Sequence, residues 1–261
     1  MARSAANWDP MQYLRFGNER LRPALDLLAR IPLDAPARVA DLGCGAGNVT
    51  AILRRRFSAA DIVGVDGSDT MLAKARATAP DCRFELADFF QWQPRVRFDL
   101  IYSNAALHWV DRHPMLFARL LSFLAPGGVL AVQMPAMHAT PLHQVSRELA
   151  ASDEWSGELR GVIPAPGILP AMEYWDMLRP RVASVEMWQT TYMHALEGEN
   201  AVMEWASGSS LRPYLDRLSD PRKAAFREAY ADAVRPHYPR RPDGSTILPF
   251  HRLFLLATMP V

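Results

Sequence analysis

The sequence predicts a doubly wound α/β fold on a mostly parallel sheet, and three observations carry that prediction. Short apolar runs alternate with amphipathic helical stretches without interruption from residue 39 to residue 133. Glycines gather at the first strand-to-helix turn, in VADLGCGAG at 39–47. Acidic residues stand at the ends of the first three strands, where open parallel sheets bind ligands: Asp41, Asp66 and Asp88.

The elements follow in order. A helix is expected from about Glu19 to Ile31, preceded by WDPMQYLRF at 8–16, whose aromatics either plug the core edge or cover a ligand. Val39 to Leu42 form a buried strand. Gly43, Gly45 and Gly47 follow at alternate positions, and Asn48 to Phe57 place Val49, Ile52, Leu53 and Phe57 on one helical face. Ala60 to Val65 make the second strand, ending on Asp66; Arg83 to Ala87 make the third, ending on Asp88 and Phe89. Phe98 to Tyr102 make a fourth, leading into SNAALHW at 103–109. A helix bearing Leu116, Phe117, Leu120, Leu121 and Leu124 precedes a Pro126-Gly127-Gly128 turn and a fifth strand, Val129 to Gln133.

Beyond Met134 the pattern changes. Pro164, Pro166 and Pro170 break any long helix in the proline-rich stretch 135–180. Two β-rich segments, Val182 to Tyr192 and Phe250 to Met259, pair as an antiparallel edge. Between them, 197–240 reads as helices around Trp205, around Leu215, and across Phe226, Tyr230 and Val234, placed to form a lid. The expected organisation is thus a covering segment and helix at 1–30, a ligand-binding core at 31–135, a variable segment at 136–180, and terminal strands at 181–261 with the inserted lid.

Composition narrows the function. Apolar residues make up 49% of the 261 positions and the formal charge is +1, so the chain has a sizeable core and no whole-protein field for nucleic acid. No run approaches a membrane span and the N-terminus lacks a signal-peptide core, which predicts a cytoplasmic protein with no membrane partner. Cys44 and Cys82 have no metal-ligand spacing, so a reduced protein without a metal site is expected. Lys74 and Lys223 are the only lysines. Base composition accounts for this blandly; alternatively, some arginines clamp carboxylates through their planar fork.

A strand, a glycine turn and a helix bring a nucleotide-like ligand against bare backbone. The dinucleotide spacing requires glycine at 48, where this chain has Asn48. That departure favours a cofactor without a pyrophosphate. The D-L-G-C-G-x-G string resembles the first motif of class I S-adenosylmethionine-dependent methyltransferases. The resemblance implies a Rossmann-like, mostly parallel seven-stranded sheet with an antiparallel last strand, and S-adenosyl-L-methionine as cofactor, leaving as S-adenosyl-L-homocysteine. It implies that Asp41, Gly43, Cys44, Gly45 and Gly47 line the cofactor, with Asp66 on the ribose hydroxyls and Asp88 and Phe89 at the adenine. Asn104 at the methionine part, Met71 and Arg15 complete that set.

Longer segments carry a narrower resemblance. WDPMQYLRFGNERLRPALDLLARIP at the start, VLAVQMP at the fifth strand, SLRPYLDRL at 210–218 and YPRRPDGSTILPFHRLFLLAT near the end are similar to the trans-aconitate 2-methyltransferase family. The likeness covers nearly the whole chain and is weakest between about Asp153 and Ala171. It implies monomethylation of a small carboxylic acid.

That chemistry sets its own requirements. Methyl transfer is an in-line displacement that chiefly needs alignment, and a carboxylate is already ionised at pH 7. No catalytic base is then expected, and His108 and Trp109 line the pocket. Spectator carboxylates leaving water must meet donors or cations. Tyr13, Arg212, Tyr214, Tyr238 and Arg252 are the candidates, although Arg252 could be an exposed edge charge and Arg212 a solvated residue at a helix start. Two alternatives stay open: another small acid or a phenolic acceptor, for which His108 would act as base, and a non-catalytic S-adenosylmethionine-binding protein. The oligomeric state is not encoded in any of these motifs.

Overall fold

The computed structural model describes residues 21–162 and 167–261. Its centre is a seven-stranded sheet of order β3-β2-β1-β4-β5-β7-β6. The strands are β1 (Arg38–Leu42), β2 (Asp61–Asp66), β3 (Arg83–Leu86), β4 (Phe98–Asn104), β5 (Leu124–Pro135), β6 (Ser184–Leu196) and β7 (Thr246–Thr258). Strands β1 to β5 pair in parallel, while β7 runs antiparallel to both β5 and β6. The order reverses between β1 and β4, so the crevice at the carboxyl end of those strands is the expected ligand position.

Alternation of side chains separates two cores. Ala40, Leu42, Val63, Val65, Ile101, Leu130, Val132 and Leu255 pack to one side, against α4 (His113–Ser122) and α7 (Ala171–Leu178). Val39, Ile62, Leu100, Tyr102, Val129, Ala131 and Phe254 pack to the other, against α1 (Arg22–Ala29) and α2 (Asn48–Arg56). Helix α3 (Asp69–Thr78) is capped by Ser68, whose Oγ accepts from Met71 N at 3.3 Å.

A third cluster stands apart from the sheet. It joins Met137, Leu142, Val145 and Trp155 to Val202, Leu211, Tyr214, Phe226 and Tyr230. The helices are α5 (Pro141–Ala151), α6 (Ser156–Leu159), α8 (Ala201–Ser207), α9 (Arg212–Leu215) and α10 (Asp220–Val234). The cap therefore draws on two stretches of chain, one following β5 and one between β6 and β7. The proline-rich stretch is more helical than its composition suggests, because Pro141 occupies the first turn of α5, where its missing N–H costs nothing.

Four strands outrun their predicted ends: β6 continues through Leu196 and β7 begins at Thr246. β4 continues through Asn104, and β5 begins at Leu124 with a register irregularity opposite Phe98 and Leu100. Pro126 to Gly128 thus lie within the strand as an irregular start. Among the described residues no helix is long and apolar enough to cross a membrane.

Candidate active site

The glycine loop joins β1 to α2, and all three glycines have left-handed backbone: φ is 72° at Gly43, 54° at Gly45 and 81° at Gly47. Their surroundings differ. A Cβ at 43 would lie 2.1 Å from Ala106 Cβ, and one at 47 would lie 2.9 Å from Ala75 Cα. A Cβ at 45 would meet nothing within 4 Å. Gly43 and Gly47 let the loop press against its neighbours, and Gly45 is the open position where a ligand can reach backbone.

The loop is fastened to β2. Val65 O accepts from Gly43 N at 2.8 Å and from Cys44 N at 3.1 Å. Asp66 accepts from Gly45 N through Oδ2 and from Ser68 N through Oδ1, both at 2.9 Å. Each carboxylate oxygen keeps a lone pair for a hydroxyl. Asp88 is exposed and accepts from Phe90 N at 2.8 Å. Phe89 is half-buried against the loop, and Met71 is 40% exposed at the start of α3.

Two of the predicted cofactor contacts turn inward. Asp41 is buried, with Thr50 Oγ1 donating to its Oδ2 at 2.6 Å. Burial raises its carboxyl to about 7, against the Thr50 bond and with a further push from Asp66. Cys44 is buried toward Gly64, so only its backbone is available to a ligand. Burial, Asp41 and Asp66 push the thiol pKa up, and it stays protonated. Arg15 and Tyr13 lie outside the described residues.

Asn104 ends β4, and its Oδ1 is buried with no partner among the described residues. Ala105, directly after it, has φ 52°, as does Arg112; among the described residues no other non-glycine residue has positive φ. Backbone of this kind collects at functional sites. The two positions bracket the segment that holds His108 and Trp109. Ala106 lies against Gly43, so this segment continues directly from the loop.

His108 and Trp109 line a cleft between the sheet and the cap. Pro135 and Phe250 line it from the sheet, His143 and Arg147 from α5, and Ser210 and Tyr214 from the cap. Both imidazoles are neutral at pH 7. Burial first, then Arg252, His143 and His113, push His108 down to about 3. Burial, then Arg147 and His138, push His143 down to about 4. Such weak bases suit proton abstraction poorly, since a general base works best with a pKa near the working pH.

The predicted substrate residues divide. Tyr214 is buried, lines the cleft and stacks on Phe226 at 5.8 Å. Arg252 is 8% exposed and belongs to an interior strand, so it is not an edge charge. Its Nη1 donates to Gln133 Oε1 at 3.4 Å and its guanidinium sits 4.5 Å over the Phe250 ring. Burial lowers its pKa to about 10, and it remains a cation.

Arg212 and Tyr238 do not line this cleft. Arg212 is on the solvent side of the one-turn helix α9, 3.5 Å from Asp216, because Leu211 and Tyr214 take the inward positions. Tyr238 is a strut of the cap: its hydroxyl accepts from Leu142 N at 3.3 Å, and it lines a separate small cavity with Met203 and Thr246. Sequence reasoning passed over Gln133, His143, Arg147 and Phe250. A signal existed for Gln133 alone, a lone amide inside the apolar run VLAVQMP.

Comparison with known proteins agrees with this geometry. Residues 39–128 match a family model described as a methyltransferase domain. The chain is 44% identical over 255 residues to a trans-aconitate 2-methyltransferase of Methylobacterium radiotolerans, covering 97% of this chain and 98% of that one. It is 45% identical to a trans-aconitate 2-methyltransferase of Yersinia pestis, covering 96% and 98%. Among solved structures, a Haemonchus contortus phosphoethanolamine N-methyltransferase in complex with S-adenosyl-L-methionine superposes with a TM-score of 0.56 at 15% identity. That match covers 98% of this chain and 58% of the larger protein, and it shows the shared fold.

Proposed function

This chain belongs to the trans-aconitate 2-methyltransferase family, and on that premise we propose that it forms the monomethyl ester of trans-aconitate from S-adenosylmethionine. The observation that carries the reading is the cleft beside the glycine loop, where a buried cation stands close by and both imidazoles are neutral, weak bases. Such a cleft suits an acceptor that arrives as an anion and needs no deprotonation.

The cofactor, when bound, supplies a methyl group activated on a sulfonium. The open backbone at Gly45 fits the close approach of such a ligand. Asp66 holds the ribose hydroxyls with the lone pairs left free by Gly45 and Ser68. Asp88 accepts from the adenine amine, Phe89 gives that ring an apolar wall, and Met71 stands beside them. Asn104 Oδ1, buried and unpartnered among the described residues, accepts from the ammonium of the methionine part. Asp41 and Cys44 act from beneath, the first by fixing the loop through Thr50.

On the acid side, Trp109, His108 and Tyr214 shape the cleft and exclude water. The cap closes over the bound acid. Rate enhancement comes from alignment of the attacking oxygen, for which well-oriented reactants gain about 7–11 kcal/mol. The protein acts on a small molecule, as a soluble cytoplasmic enzyme.

A panel of small acids and phenols incubated with methyl-labelled S-adenosylmethionine tests this. The expected result is a labelled methyl ester of trans-aconitate, with kcat flat between about pH 6 and 9 because neither imidazole of the cleft titrates there. Preferential labelling of a phenol, or tight cofactor binding without turnover of any acid, would overturn it.

A further inference from the structure

Asn104, Gln133 and Arg252 stand at the carboxyl edge of the sheet on the adjacent strands β4, β5 and β7. They continue the phase of Tyr102, Ala131 and Phe254, so all three lie on the same face. Gln133 is 0% exposed and Arg252 8%. The bond from Arg252 Nη1 to Gln133 Oε1, at 3.4 Å, is long for a charged donor. Arg252 Nε and Gln133 Nε2 are buried with no hydrogen-bond partner among the described residues. No ion pair to Arg252 forms among the described residues. A cation opposite Pro135 and Thr190, and an amide opposite Asn104 and Phe254, are thus held inside the sheet with donors left over.

Those donors stand directly behind the cleft. Phe250, whose ring lies under the guanidinium, lines it, as does Pro135, the ladder partner of Arg252. His108, another lining residue, feels the charge of Arg252. We propose that Arg252 and Gln133 form an internal carboxylate subsite that holds a spectator carboxylate of the acid substrate and so selects polycarboxylates over monocarboxylates. The planar fork of arginine and an amide N–H match two oxygens of one carboxylate. The neutral His108 adds no competing charge, so one anion and one cation balance. The ligand is the acid and not the carboxylate of the cofactor, because β7 stands three strand spacings, about 14 Å, from the glycine-bearing end of β1. This subsite rests on the methyl-transfer reading given above.

The test uses the full chain loaded with S-adenosylhomocysteine, titrated with trans-aconitate by calorimetry, alongside turnover with S-adenosylmethionine. Arg252→Met is expected to weaken acid binding at least about 50-fold and to raise KM correspondingly, with kcat falling less than about threefold. Arg252→Lys should recover part of the loss, and Gln133→Leu should cost less than Arg252→Met. S-adenosylhomocysteine affinity and the melting temperature of the loaded protein should stay near wild type. A parallel loss of cofactor affinity would give the subsite to the cofactor and overturn the proposal. So would equal losses for trans-aconitate and a monocarboxylic acid, or unchanged acid binding in all variants. Should Arg252→Met fail to fold, the lysine and leucine variants decide alone. Binding of trans-aconitate without turnover in the wild type would overturn the reaction while leaving the subsite measurable.

Discussion

Around the glycine loop the backbone does the shaping: Gly43 and Gly47 press against Ala106 and Ala75, and Val65 O holds two successive amides. At the cleft, side chains from distant stretches converge: His143 from α5 and Tyr214 from α9 in the cap, and Phe250 from β7. The first region is built on one contiguous loop, in which positions 43 and 47 leave no room for a Cβ. The second is built from residues brought together by a separate hydrophobic core. One region is shaped by backbone, the other by side chains.

Substitutions at the glycines break this comparison most severely. Gly43→Ala combines a left-handed φ with a contact of 2.1 Å to Ala106 Cβ, so a loss of about 3 kcal/mol or more and abolished cofactor binding are expected. Gly45→Ala meets no atom, so thermal denaturation should register only the roughly 1–2 kcal/mol of left-handed strain while cofactor affinity falls. Equal stability losses in the two variants would erase the distinction between packed and open glycines.

Asp41 gives the next effect. Its carboxyl is raised from 3.8 to about 7 in the fold, so the folded state favours the protonated form. The stability associated with that preference is full below about pH 4 and is lost as pH rises through 7. Asp41→Asn, which keeps an acceptor for Thr50, should therefore be more stable than wild type at pH 8 by on the order of 2 kcal/mol. The gap should close toward pH 4. A gap that is constant from pH 4 to 8 would show that Asp41 does not titrate in this range.

His108→Gln should lower kcat by less than about fivefold, against the 10²–10⁴ of a lost general base, with no new pH dependence between about 6 and 9. Arg212→Ala should do least. Its ion pair with Asp216 joins side chains 73% and 69% exposed, and exposed pairs contribute about 0–1 kcal/mol. Unchanged kcat/KM is expected; a large loss would mean that α9 reorients when the acid binds.

The same division explains what could be read from the chain. Strand ends, glycine turn and acids are local patterns, and Gly43, Gly45, Asp66 and Asn104 are all brought to the crevice between β1 and β4. Direction of a side chain is harder. Asp41 and Cys44 carry the right motif but are buried, Asp41 against Thr50 and Cys44 toward Gly64, and both partners lie outside the motif string. In the cap, a helix of one turn such as α9 offers too few residues for periodicity to say that Tyr214 faces in and Arg212 out. Gln133 was visible as an oddity, yet its proximity to Arg252 arises only from the antiparallel register of β5 and β7, which no short segment contains.

Cys44 has a chemical consequence of its own. The thiol is packed between the glycine loop and β2 and is held protonated by burial and by two neighbouring carboxylates. Alkylating agents and peroxides attack the thiolate, and they must first reach it. A cysteine at the heart of the glycine loop is in this way shielded from electrophiles and oxidants for as long as the loop stays seated. Its slow labelling by a thiol reagent becomes a clock for how often that loop lifts from the sheet, with the half-buried Cys82 as the internal reference.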